Sequence, residues 1–368
     1  MAHIICTVTN DLSQDQRMDR ICTSLSSAGH EVWLVGRQKK DSLPLPDRPY
    51  QQIRLQCSRQ MGKAFYLEYN LRLLAFLFWN RCDIINAVDL DTLLPCSIIK
   101  KWRKTPIIYD AHEYFSQTPE VMRRPEVQKV WEQLALNLIP TVNHCYTVGP
   151  QLAKIMGEVY GVHFDVVRNL PMRLPSFTPY NKESGKKIIL YQGMLNEGRG
   201  LGTAIEAMQY LNGFELWLVG NGDIRKALEK KVKALNIEEC VLFHGFIPPD
   251  RLKDFTQQAW IGLNLLENNG LSYYYSLANK AFDYIQYGVP SIQMAFPEYQ
   301  SLQHKYDVFE LLKELDARVL ADKIKQLAAH TKRYRQLQVN CSIAAKELNW
   351  EMEEEKLLAI YDFNVLRT

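Results

Sequence analysis

Ser276-Leu277-Ala278-Asn279-Lys280-Ala281-Phe282-Asp283-Tyr284-Ile285-Gln286-Tyr287-Gly288-Val289-Pro290 leaves a polar loop, carries a cation and a carboxylate, and stops at Gly288 and Pro290. It reads as a helix that runs into a strand at Ser291-Ile292-Gln293-Met294. Ser276 is the expected N-cap, and the helix start behind it offers free backbone N–H groups and a positive dipole end to an anionic phosphate. Lys280 adds a full charge one turn in. Asp283, three residues further on the same face, suits a ribose diol, from which a carboxylate accepts two hydrogen bonds. An ordinary amphipathic helix with a solvated lysine and aspartate fits the same residues. The surrounding chain separates the two readings.

The 368 residues leave room for two domains, and 47% hydrophobic with 23% charged residues describes a globular protein. A net charge of +3 argues against nucleic acid, whose binders concentrate basic residues on one face. The eight cysteines lack C-x-x-C pairs and zinc spacing, so they read as reduced, buried small hydrophobes. Met1 to Cys6 runs straight into a strand without a signal peptide, and the greasy stretch Leu71 to Trp79 carries Arg72 and is too short to span a bilayer. A cytoplasmic protein is expected.

Short apolar runs alternate with helical stretches, the pattern of a doubly wound parallel sheet. Strands are expected at His3 to Val8, Glu31 to Gly36, Ile84 to Val88, Pro106 to Tyr109 and His144 to Val148. A proline-studded stretch follows, and the pattern restarts with strands at Lys187 to Gln192, Glu215 to Val219, Val241 to His244 and Ile261 to Leu265. Residues 1–171 are read as a first domain, 172–186 as a linker and 187–345 as a second domain. Two such domains facing each other leave a cleft at the carboxyl ends of their strands.

Three loops of the second half carry chemistry. Gly193-Met194-Leu195-Asn196-Glu197-Gly198-Arg199-Gly200 lies between strand and helix, with glycines for close backbone approach and Arg199 to fork onto a diphosphate. Val219-Gly220-Asn221-Gly222-Asp223 repeats the device, and Phe243-His244-Gly245-Phe246 forms a third strand end. With Lys280 and Asp283, four strand ends converge on one ligand.

With these segments in this order, the sequence resembles the retaining nucleotide-sugar glycosyltransferases of the GT-B fold, the large family 4 or group 1 type. The similarity runs from Asn10-Asp11 through Tyr109-Asp110-Ala111-His112-Glu113 to Trp350-Glu351. It implies two Rossmann-like doubly wound domains across a cleft, with residues 346–368 a C-terminal helix crossing back to the first. It also implies sugar transfer from a UDP- or GDP-linked donor to an acceptor hydroxyl with retained configuration, no cofactor and no metal. The acceptor would be a cell-surface glycan or glycolipid precursor. Carried over by position, Gly193, Arg199, Asn221, Phe246, Asn279, Lys280 and Asp283 hold the donor. Arg199 and Lys280 stabilise the departing diphosphate and His112 is the cleft histidine. Asn10, Asp11, Arg17, Asp89 and Glu113 lie on the acceptor side.

Two positions depart from the family. Tyr275 stands where the first acid of E-x7-E is expected, and Met194 where relatives often carry arginine. A non-catalytic GT-B protein that binds nucleotide or a partner is therefore an alternative, and a nucleotide-sugar epimerase a further one. Glu267 is on the same loop at a different spacing. Asp89-Leu90-Asp91 matches a D-x-D metal motif, yet it leads into a helix that Asp91 would cap. Asp15 is likewise a candidate cap for the first helix. No G-x-S-x-G elbow or G-x-G-x-x-G fingerprint is present. Met61 to Arg81 and Lys100 to Lys104 mix aromatics with cations, which suits either peripheral contact with anionic lipid or a core helix with solvated ends.

Overall fold

The computed structural model describes residues 1–174 and 185–362, so residues 175–184 of the expected linker lie outside the described residues. The chain divides into two compact units, Met1–Asn169 together with the chain from Met352 onward, and Leu170–Glu351.

The first unit is built on seven strands: β1 (His3–Thr7), β2 (Glu31–Gln38), β3 (Gln51–Gln56), β4 (Ile84–Val88), β5 (Ile107–Ala111), β6 (His144–Thr147) and β7 (Asp165–Val166). They pair in parallel in the order β3-β2-β1-β4-β5-β6-β7. Every residue of β4 and β5 is buried, as a central parallel strand covered on both faces requires. The helices are α1 (Gln16–Ser27), α2 (Gly62–Trp79), α3 (Leu90–Arg103), α4 (Pro119–Met122), α5 (Pro125–Leu138) and α6 (Pro150–Tyr160). Asp15 accepts from Met18 N at 3.0 Å and caps α1.

The second unit carries β8 (Lys187–Gln192), β9 (Phe214–Val219), β10 (Val241–Gly245), β11 (Ile261–Asn264), β12 (Ser291–Met294) and β13 (Phe309–Leu312) in the parallel order β10-β9-β8-β11-β12-β13. Its helices are α7 (Leu201–Ala207), α8 (Arg225–Ala234), α9 (Pro249–Thr256), α10 (Leu271–Tyr274), α11 (Asn279–Gln286), α12 (Pro297–Tyr306), α13 (Ala317–Ala329) and α14 (Thr331–Ala344). The last helix, α15 (Trp350–Ile360), begins in the second unit and continues into the first. Within the first unit, buried Glu353 accepts from Arg168 N at 2.9 Å and pairs with Lys356 at 2.7 Å.

Each unit is a Rossmann-like doubly wound domain. Strand order reverses between β1 and β4 in one and between β8 and β11 in the other, and such switch points open the crevices where α/β sheets bind ligands.

Candidate active site

The loop after β8 lies at the switch point of the second unit, where backbone is packed on backbone. Gly193 N donates to Val219 O at 2.9 Å, Leu195 N to Asn221 O at 2.9 Å, and Gly220 N to Gly245 O at 2.8 Å. Gly220 has φ 141°, and a Cβ there would stand 1.9 Å from Gly193 O. Only glycine permits that approach.

On the other side of the switch point, Tyr284 pins α11 to the sheet. Its hydroxyl donates to Leu190 O at 3.0 Å, and its ring occupies the space a side chain on Gly262 would need. Ala281, Phe282 and Ile285 are buried alongside, which leaves the start of α11 at the sheet's carboxyl edge.

Ser276 is not the N-cap. The N-cap is Ala278, no side chain caps α11, and Ser276 Oγ donates instead to Tyr273 O at 3.0 Å. The reason is α10, a short turn of helix just upstream that takes the serine into its own C-terminus. Ala278 N donates to Tyr299 OH at 2.9 Å, and the uncapped first turn retains the donors an anion would accept from.

Lys280 is 8% exposed, with Nζ 4.4 Å from the Tyr191 ring centroid. A Cβ on Gly193 would lie 3.4 Å from that Nζ, so the ammonium sits over the strand-end glycine. Arg199 stacks on Tyr273 with Cζ 4.9 Å from the centroid, and its Nε is buried without a hydrogen-bond partner. Burial, and then the Arg199 cation, push the Lys280 pKa well below the usual lysine range, with Asp283 opposing. Two cations crowd one desolvated corner, which favours an incoming anion.

Asp283 is held by Gln192, whose Nε2 donates at 3.1 Å while its Oε1 accepts from Thr256 Oγ1 at 2.9 Å. Asn221 Oδ1 accepts from Arg225 Nη1 at 2.6 Å beside Gly245, and Phe246 next along is half exposed. Asn279 is exposed at the first position of α11. Tyr275 ends α10 with its ring 4.9 Å from Tyr274, and Glu267 accepts from Asn269 at 2.8 Å. Met194 is exposed, and its carbonyl accepts from Tyr191 OH at 2.7 Å.

Sequence reasoning missed Tyr191, Gln192, Tyr273 and Arg225. Gln192 was readable as a polar residue closing an apolar strand, whereas Arg225 is one cation among many on α8.

In the first unit the switch point is lined by the ends of β1, β4 and β5. Asp89 has φ 55° and ψ 171°, strained for a non-glycine residue, and its Oδ1 accepts from His112 N at 2.9 Å. Burial, Glu113, Asp91 and Asp110 raise its pKa well above the carboxylate range. The N-cap position of α3 is Asp89, so Asp91 does not cap; it lies in the first turn, accepts from Thr9 Oγ1 at 2.6 Å, and is pushed up to about 6 mainly by burial. No group of three metal-ligating side chains occurs among the described residues. His112 is exposed; desolvation and then Arg17 lower its pKa, with Asp110 opposing.

Arg17 and Asp11 are taken up by structure. Arg17 Nη2 and Nε meet Asp110 at 2.6 and 3.3 Å, Tyr146 OH adds a bond to Asp110 at 2.9 Å, and only Nη1 of Arg17 lacks a partner. Asp11 accepts from Ser13, Ser42 and Arg54; these bonds outweigh a burial that would raise its pKa, and the net direction is down. Asn10 is exposed and donates to Asp15 at 3.1 Å. Glu113 is half-buried beside His112.

Residues 174–342 match the family model for glycosyl transferases group 1, and residues 15–171 match that for Glycosyltransferase Family 4. Sucrose-phosphate synthase from Thermosynechococcus elongatus has a similar structure, with TM-score 0.84 at 17% identity over 100% of both chains. HepE of Anabaena in complex with UDP and glucose gives TM-score 0.76 at 13% identity over 99% of this chain and 100% of that one. The amylovoran biosynthesis glycosyltransferase AmsK of Erwinia amylovora is 35% identical over 79 residues, a match that spans only 20% of this chain and 19% of that protein.

Proposed function

Because the chain belongs to the group 1 glycosyltransferases of GT-B fold, we propose that it moves a sugar from a nucleoside-diphosphate donor to an acceptor hydroxyl, retaining the anomeric configuration without a metal. The observation that carries this reading is the corner of Lys280, Arg199 and Gly193 at the switch point of the second unit: two crowded cations, an uncapped helix start and strand-end backbone open to close approach.

In this reading the diphosphate lies between Arg199 and Lys280. As the glycosidic bond breaks, negative charge grows on the leaving oxygen, and fixed cations in a desolvated corner stabilise that charge more than the ground state. Asp283, held in place by Gln192, accepts from the ribose diol, and Phe246 with Asn221 meets the base. In the first unit, Asn10, Asp89, His112 and Glu113 are assigned to the acceptor side. Desolvation and then Arg17 lower the His112 pKa, which favours the neutral imidazole able to accept a hydrogen bond from a hydroxyl. Arg17 acts by positioning Asp110.

UDP and glucose in the HepE structure and the AmsK name support a nucleotide-sugar donor and a glycan or glycolipid precursor as acceptor. A cytoplasmic location is part of the same proposal. Among the described residues no helix is long and apolar enough to cross a membrane.

Thermal-shift titration with UDP, GDP, ADP and their sugars, then transfer assays with the best donor, test the proposal. A nucleotide-dependent rise in Tm followed by an α- or β-linked product of the donor's own configuration, read by NMR, is expected. Tyr275 in place of the first E-x7-E acid favours a second reading, a nucleotide-binding protein without turnover. Donor binding with neither transfer nor slow donor hydrolysis across a broad acceptor panel selects it, and product formed without acceptor points to an epimerase.

A further inference from the structure

The solvent-facing side of α2 carries an apolar stripe beside exposed Lys63 and Arg72. Phe65, Tyr69, Leu73 and Leu77 are buried at near-helical spacing, so the opposite face holds Leu67, Leu71, Ala75 and Phe78. Leu67 is 65% exposed, Leu71 58% and Phe78 40%. A helix on a water-facing surface carries polar residues there. Neighbouring α3 repeats the pattern with Leu94 and Ile98, then ends in Trp102, 58% exposed.

The two stripes form one surface. The rings of Phe78 and Trp102 stack with centroids 4.6 Å apart and planes 2° apart, and Trp79 beside them is 80% exposed. Arg103 locks the corner: its guanidinium lies 4.6 Å from the Trp102 centroid and donates to the carbonyls of Leu77 and Phe78. Around it stand exposed Arg81, Lys101 and Lys104, none of which makes an ion pair among the described residues. The acids of this rim are engaged, Glu68 by Arg72 and two backbone N–H groups, Asp83 by His3 N.

An exposed apolar patch of this kind marks a docking surface. We propose that its occupant is the surface of an anionic lipid bilayer, with Trp79, Phe78 and Trp102 at the boundary of headgroups and acyl chains and Arg81, Lys101 and Lys104 against the headgroups. Charge complementarity selects the lipid. A two-fold contact with a second copy would set this cation cluster against itself. The sugar-transfer reading supplies only the purpose, holding the chain at a membrane that carries its acceptor, and the binding is measured without donor or acceptor.

The test is flotation of the full chain with phosphatidylcholine vesicles, alone or with about one third phosphatidylglycerol. Binding to the anionic vesicles only, weakened by salt, with a blue shift of indole emission, is expected. Lys101→Glu with Lys104→Glu should lower partitioning about tenfold or more, and Leu71→Asn with Trp79→Ser should lower it comparably. All four positions are exposed, and unchanged thermal melts confirm folding. No flotation on anionic vesicles, or flotation unaltered in both double variants, overturns the proposal. A lipid-free dimer that Trp79→Ser dissociates also overturns it, since the face then belongs to a second copy. Intact flotation without any nucleotide-induced shift counts against the transferase reading alone.

Discussion

Replacing Lys280 with methionine separates binding from stability in one variant. The side chain is almost fully buried, touches the Tyr191 ring and shares its corner with Arg199. Methionine fills a similar volume without the charge. A charged hydrogen bond to phosphate contributes about 1.5–3 kcal/mol, so diphosphate affinity should fall roughly ten- to a hundredfold. The folded-state pKa of Lys280 lies below its unfolded value, so between the two the unfolded chain binds more protons and wild-type stability rises with pH across that window. At neutral pH the variant is therefore the more stable, by about 1 kcal/mol or more, which is roughly 2–4 °C in Tm. Differential scanning fluorimetry at pH 7 and pH 9, with and without nucleoside diphosphate, reads both effects. Wild-type nucleotide affinity in the variant, or a Tm gain that does not shrink at the higher pH, would refute this role of Lys280.

Asp110→Asn should cost about 3–5 kcal/mol in the first unit, because it leaves the buried Arg17 cation without its counter-charge; urea unfolding followed by a probe in that unit checks this, and Arg17→Met with Asp110→Leu should cost less. Gly220→Ala places a Cβ 1.9 Å from Gly193 O at φ 141°, so a loss of about 2 kcal/mol or more is expected, with weakened nucleotide binding by calorimetry. Asp89→Gly removes a strained backbone with φ 55° and should stabilise the first unit by about 1 kcal/mol while raising acceptor KM in transfer assays. Because the Asp89 carboxyl is held above its unfolded pKa, its contribution to stability falls as pH rises, and that slope should vanish in the variant.

How far the sequence discloses all this depends on burial. Strands β8 and β12 are expected at Lys187 to Gln192 and Ser291 to Met294, the bounds observed: β8 is a near-continuous apolar run, as a covered parallel strand is, and β12 follows where Gly288 and Pro290 close the helix before it. Strand β3, Gln51–Gln56, went unread: it is a half-exposed edge strand whose glutamines and arginine look like loop. Strand β13, at an edge of the second sheet, has no glycine and proline stop before it to mark its start, and two-residue β7 at the other edge of the first sheet is too short for a period. In the site, Lys280 and Arg199 were legible as cations near glycine turns, but their mutual crowding arises from the order β8 next to β11, which pairwise spacing does not encode. The same holds for Arg17, which reads as a loop cation and is captured by Asp110 from a distant strand.

The central claim is that the second unit grips a pyrophosphate, and isothermal titration of the full chain with a nucleoside, its monophosphate and its diphosphate tests it directly. Affinity should climb steeply from nucleoside to diphosphate, because the phosphates bring the negative charge that Lys280 and Arg199 meet in their shared corner. Equal affinity for nucleoside and diphosphate across uridine, guanosine and adenosine would contradict it.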